Sequence, residues 1–96
     1  GYVIDGVESP FIEFVPEKTY KFDQSAGTNS GHPLRFYYDK DKTTAYTTNV
    51  TTNGTAGSSG AYTQIVVDVD TPRTLFYMCS AHPIWEIKYK LKVVIL

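Results

Sequence analysis

Apolar and polar residues alternate with a period of two along most of this chain, and no segment carries a convincing helical period. Tyr2-Val3-Ile4 reads as a short strand ended by the turn pair Asp5-Gly6. Phe11-Ile12-Glu13-Phe14 reads as a second, Thr19-Tyr20-Lys21-Phe22 as a third, and Leu34 to Tyr38 as a fourth. Between the last two, the Ser, Gly, Thr and Asn cluster from Asp23 to Gly31 predicts a loop that delivers His32. Asp39-Lys40-Asp41-Lys42 is a charged turn, and Thr43 to Thr52 is a ragged strand or an extended loop.

The clearest alternation comes later. Ala61, Thr63, Ile65, Val67 and Val69 share one face of a strand, with Tyr62, Gln64, Val66 and Asp68 on the other. After the turn Asp70-Thr71-Pro72, Leu75, Tyr77 and Cys79 share a face opposite Phe76 and Met78. Trp85, Ile87, Tyr89, Leu91, Val93 and Ile95 then alternate against Glu86, Lys88, Lys90 and Lys92. Asn53 to Gly60 (NGTAGSSG) reads as a flexible surface loop, because its small polar residues bury little. Asn49-Val50-Thr51 and Asn53-Gly54-Thr55 fit the N-glycosylation pattern, which matters only in a eukaryotic secretory setting.

Short strands with turn signals recurring about every 8–12 residues point to an all-β sandwich. Composition agrees: eight Tyr, five Phe and one Trp suit pleated surfaces. Ninety-six residues suit a single domain, 1–96, with a core small enough for a metal to matter to stability. A net charge of −1 without a basic, aromatic-laced patch gives no reason to expect nucleic acid. No apolar run is long enough for a membrane span. The opening Gly1-Tyr2-Val3-Ile4 is no charged-then-apolar leader, so either a leader has been removed or this is a segment of something longer.

Chemistry concentrates in Cys79, the one cysteine, and in His32 and His82, the two histidines. One thiol and two imidazoles are the donors a trigonal copper site needs, and Cys79 and His82 stand three apart just past an apolar run. His32 reaches them only through the fold. Taken singly, each residue has a plainer reading. Cys79 alone is a buried core thiol, and His32 alone is a hydrogen-bonded loop residue.

The runs Gly31-His32-Pro33-Leu34-Arg35-Phe36, Gly60-Ala61-Tyr62-Thr63 and Tyr77-Met78-Cys79-Ser80-Ala81-His82 together resemble the cupredoxin (plastocyanin-like) family. With Tyr2 to Gly6 and Tyr20 to Ser25, the chain is most similar to small cupredoxin-like domains of marine bacteria and of the structural proteins of their phages. The resemblance implies a Greek-key β-sandwich with one copper ion, Cu(I)/Cu(II), on His32, Cys79 and His82. It implies electron transfer to a redox partner protein rather than an enzyme, and an extracytoplasmic (periplasmic or secreted) or virion-associated location. Backbone N–H groups after Cys79 are expected to tune its sulfur.

The chain also departs from that family. Copper-binding members place a methionine a few residues beyond the second histidine, where this chain has Pro83-Ile84-Trp85-Glu86. Met78 is on the wrong face of its strand to serve. Three outcomes stay open: Ile84 or Trp85 over an unfilled axial position, an oxygen from Glu86, or a site that has lost its metal. Cysteine–histidine nucleophilic catalysis finds no support in the resemblance, and Glu86 is the one acid near His82.

A second function class is a structural or assembly module that contacts neighbouring subunits. It is suggested by the missing methionine, the likeness to phage structural proteins and the last strand. Trp85 to Leu96 would extend about 40 Å, roughly twice the usual length. Its lysines fit a blunted edge, and its apolar tip, 93–96, is a candidate for projection toward a partner.

Overall fold

The computed structural model describes residues 2–8, 10–81 and 89–96. Within them lie β1 (Tyr2–Ile4), β2 (Val7–Glu8), β3 (Thr19–Asp23), β4 (Leu34–Tyr37), β5 (Ala45–Tyr46), β6 (Val50–Asn53), β7 (Tyr62–Val66), β8 (Phe76–Cys79) and β9 (Tyr89–Ile95). A single 3₁₀ turn, Gly27–Asn29, is the only helical element among the described residues. The strands form a six-stranded sheet in the order β2-β1-β9-β3-β7-β6 and a three-stranded sheet in the order β5-β4-β8. All neighbours are antiparallel except β1 and β9, which run parallel with Tyr2 beside Tyr89 and Ile4 beside Leu91. The architecture is all-β, with the two sheets face to face as in a β-sandwich.

Period-two alternation explains which residues meet between the sheets. Tyr20 and Phe22 of β3, Thr63 and Ile65 of β7, and Leu34 and Phe36 of β4 all point inward and are buried. The Phe22 ring lies 5.6 Å from that of Phe36 and 6.4 Å from that of Tyr77, so aromatic edges and faces join the two layers. Burying each such side chain stabilises the fold by about 1.5–3 kcal/mol. The Asp5-Gly6 turn has positive φ at both residues (50° and 82°) and joins Ile4 directly to Val7. Two left-handed residues make the tight hairpin whose twist matches its strands.

Two expectations need correction, and a third is refined. Residues 11–14 are not a strand. Phe14 packs against Tyr20 with ring centroids 4.7 Å apart, whereas Phe11 is 94% exposed. Tyrosine hydroxyls stand in here for a neighbouring strand. Tyr77 donates to the Pro10 carbonyl (2.6 Å), and the Tyr20 oxygen accepts from the Val15 N–H (2.7 Å). These bonds tie the two flanks of the segment, Pro10 and Val15, to the core without a ladder.

The segment after β6 is a surface loop as expected, but it is hydrogen-bonded to the rest of the fold. Gly57 N–H donates to the Gln24 carbonyl (2.8 Å), and Asn53 Nδ2 donates to the Gly60 carbonyl (3.0 Å). The segment therefore lies against the loop that carries His32. Small residues bury little area, but they permit this close approach of backbone to backbone.

The chain's last residues do not project from the domain. Lys92, Val93, Val94 and Ile95 pair with Asp23, Phe22, Lys21 and Tyr20, and Leu96 N–H donates to the Thr19 carbonyl (2.8 Å). The earlier half of β9 pairs with β1, so this strand sits inside the larger sheet. The expected strand residues 85–88 lie outside the described residues.

Candidate metal centre

Register brings the two distant donors together. β4 and β8 pair with Leu34 opposite Cys79, and Ser80 N–H donates to the Pro33 carbonyl (3.1 Å). His32, two residues before Leu34, is thereby held beside the end of β8. Cys79 Sγ lies 3.6 Å from His32 Nδ1 across 47 positions of sequence. The thiol is free and 7% exposed, while His32 is half-buried.

The separation suits a shared metal ion. Metal–sulfur and metal–nitrogen bonds of about 2.3 and 2.0 Å, opened by roughly 110–120°, set the donors about 3.5–3.8 Å apart. A soft sulfur and an imidazole nitrogen also suit copper chemically. His32 and Cys79 therefore fit as two donors of such a site. His82, Ile84, Trp85 and Glu86 lie outside the described residues. Among the described residues, no three His, Cys, Asp or Glu side chains form a metal-holding group.

Neighbouring contacts refine two points. The N–H of Ser80 is committed to Pro33, so this amide does not serve the Cys79 sulfur. Met78 lies opposite Arg35 in the register, out of phase with inward-facing Cys79. The Cys79 carbonyl accepts from Lys42 Nζ (3.0 Å), which ties the turn after β4 to the end of β8. Lys42 itself has a left-handed backbone, with φ at 59°.

The loop carrying His32 is set by polar residues that the strand pattern left unassigned. Gln24 is 2% exposed and Asn29 is 0% exposed. Gln24 Nε2 donates to the His32 carbonyl (2.9 Å) and to Asn29 Oδ1 (3.1 Å), and Gln24 Oε1 accepts from Leu34 N–H (2.8 Å). Tyr2 hydroxyl also donates to the His32 carbonyl (2.8 Å), and Asn29 carbonyl accepts from the His32 N–H (2.9 Å). A signal for Gln24 was present in the sequence: it continues the inward phase of Tyr20 and Phe22. Asn29 carried no such signal.

Electrostatics around the loop are modest. Hydrogen bonds from the Ser25 side chain and then its backbone hold the Asp23 carboxyl below its usual range, which fixes the exit from β3. Between the sheets, burial pushes the Tyr77 hydroxyl up to about 12. Burial likewise raises Tyr37.

Comparison with family models, curated proteins and solved structures finds no match to this chain.

Proposed function

We propose that the chain is a cupredoxin-like domain with Greek-key connections that binds one copper ion through His32, Cys79 and His82 and takes part in electron transfer. One observation carries the reading: Cys79 Sγ and His32 Nδ1, far apart in sequence, meet at 3.6 Å. His82 follows Cys79 by three positions and is the third donor in the proposal. Bound there, copper would exchange one electron at a time between Cu(I) and Cu(II). The chain's own contribution is to hold a soft thiol and an imidazole at fixed spacing in a largely buried place. A rigid donor set changes little between oxidation states, which favours fast transfer. The reading places the domain outside the cytoplasm or on a virion, where a redox partner protein would meet it.

The test is Cu(II) titration of the purified protein, followed by its visible spectrum. An intense cysteine-to-copper charge-transfer band is expected at one equivalent, and it should vanish in Cys79→Ser. No band at stoichiometric copper, or a band that survives Cys79→Ser, refutes the proposal.

A structural or assembly role is the second reading. It is favoured by Phe11, 94% exposed, and Val69, 79% exposed, which border one groove of about 610 Å³. Isolated exposed apolar residues are common, but two on one groove suit contact with a neighbouring subunit. Light scattering at high concentration separates the readings, since a strictly monomeric chain that binds copper fits only the first.

A further inference from the structure

We infer that Gln24 is the positioning residue for His32 and sets the His32–Cys79 spacing before any metal arrives. The inference deepens the proposed copper reading and shares its donor pair, but it concerns the metal-free protein. A glutamine amide inside a core costs free energy unless its hydrogen bonds are made. Here every one is made to a single short stretch, 29–34. Both Nε2 hydrogens have acceptors, at His32 and Asn29, and Oε1 takes the Leu34 N–H. The two backbone groups of Gln24 are also engaged. Its N–H donates to the Ala61 carbonyl (2.9 Å), and its carbonyl accepts from Gly57 (2.8 Å).

The amide is thus anchored on β3 and on the 54–61 loop, and it grips His32 by the carbonyl from one side and Leu34 by the N–H from the other. Tyr2 hydroxyl provides the second bond to that carbonyl. Leu34 is also the register partner of Cys79, so one side chain fixes the main chain of the histidine and the strand position facing the thiol. An apolar residue of the same length would fill the core as well but would orient nothing. Among the described residues no buried side-chain nitrogen or oxygen lacks a partner.

Gln24→Met keeps the length and removes all three bonds. In the metal-free variant, the nuclear Overhauser contact between the His32 ring and the Cys79 β-protons should disappear. Leu34 amide exchange should quicken by tenfold or more, with Phe22 unchanged. Copper affinity should fall about 10–100-fold, as for other residues that orient metal ligands from behind. A folded Gln24→Met that keeps the contact and the wild-type copper affinity overturns the inference. Should wild type bind no copper while the variant loses the contact, the copper proposal fails and the positioning role stands. Should Gln24→Met not fold, the wild-type protein decides by itself. Gln24 side-chain protons and the Leu34 amide are expected to exchange far more slowly than the side-chain amide of half-buried Gln64, and equal rates overturn the inference.

Discussion

Replacing Gly57 by alanine should unsettle both the fold and the loop that bears His32. Gly57 has φ at +89°, and a Cβ built there would stand 2.7 Å from the Cα and N of Ser30. Backbone atoms cannot swing aside as a long side chain can. Gly60 provides the internal control: its φ is +79°, but a Cβ there meets nothing within 4 Å. Left-handed backbone costs a residue with a Cβ about 1–2 kcal/mol. Loss of glycine's freedom in the unfolded chain returns about 0.4–1 kcal/mol. Gly60→Ala should therefore cost about 1 kcal/mol. Gly57→Ala adds overpacking of about 1–3 kcal/mol and strains the bond to the Gln24 carbonyl, for a total of about 2–4 kcal/mol.

For a domain of this size each kcal/mol corresponds to about 4–8 °C in Tm. Urea unfolding followed by far-UV circular dichroism, with the slope unchanged, reads the difference directly. The reasoning fails if the two variants lose the same stability, because the close approach to Ser30 would then carry no energy. It also fails if Gly57→Ala leaves the His32 ring resonances where they are in wild type, since Ser30 leads straight into that loop.

Tyr77 supplies a pH test. Its folded value, about 12, lies above the ordinary value of 10.0. The protonated form is therefore favoured by folding, and that contribution is complete below pH 10 and lost as pH climbs from 10 toward 12. Stability should fall across this window in wild type and fall less in Tyr77→Phe, which itself loses about 1 kcal/mol with the bond to Pro10. An identical alkaline profile for both proteins would exclude the assignment. In the core, Phe22→Ala should cost about 3–5 kcal/mol, because its ring is fully buried between Phe36 and Tyr77. Phe11→Ala, at an exposed position, should change stability by less than about 0.5 kcal/mol. Urea midpoints of the pair check both numbers, and comparable losses would show that residue 11 is packed.

Legibility in the sequence followed the size of the apolar signal. Alternation marked β3, β4, β7 and β8 because one face of each is buried, and a shift of one residue would turn Phe22, Leu34 or Ile65 into solvent. The same pattern misled at residues 11–14. Ile12 and Phe14 do pack against the core, yet the flanking Pro10 and Val15 are held by tyrosine hydroxyls rather than by a ladder. Periodicity records which side chains face inward, and it carries no information on where the N–H and C=O groups go. The 53–60 segment showed its surface position but not its contacts, because these are made by backbone at glycine, which leaves no apolar trace.

Residue types alone determined that this chain is built from strands and that Cys79, His32 and His82 are its candidate soft and imidazole donors. Only the tertiary structure decided that Cys79 and His32 meet, since their approach depends on the β4–β8 register across 47 positions. It also decided what holds them. Gln24 continues the inward phase of Tyr20 and Phe22, but that phase says nothing of its partners at Asn29, His32 and Leu34, because directional hydrogen bonds leave no periodic trace. Hydrophobic burial needs only the right kind of residue on the right face, whereas hydrogen-bonded positioning needs particular partners at particular distances, and those exist only once the sheets have packed.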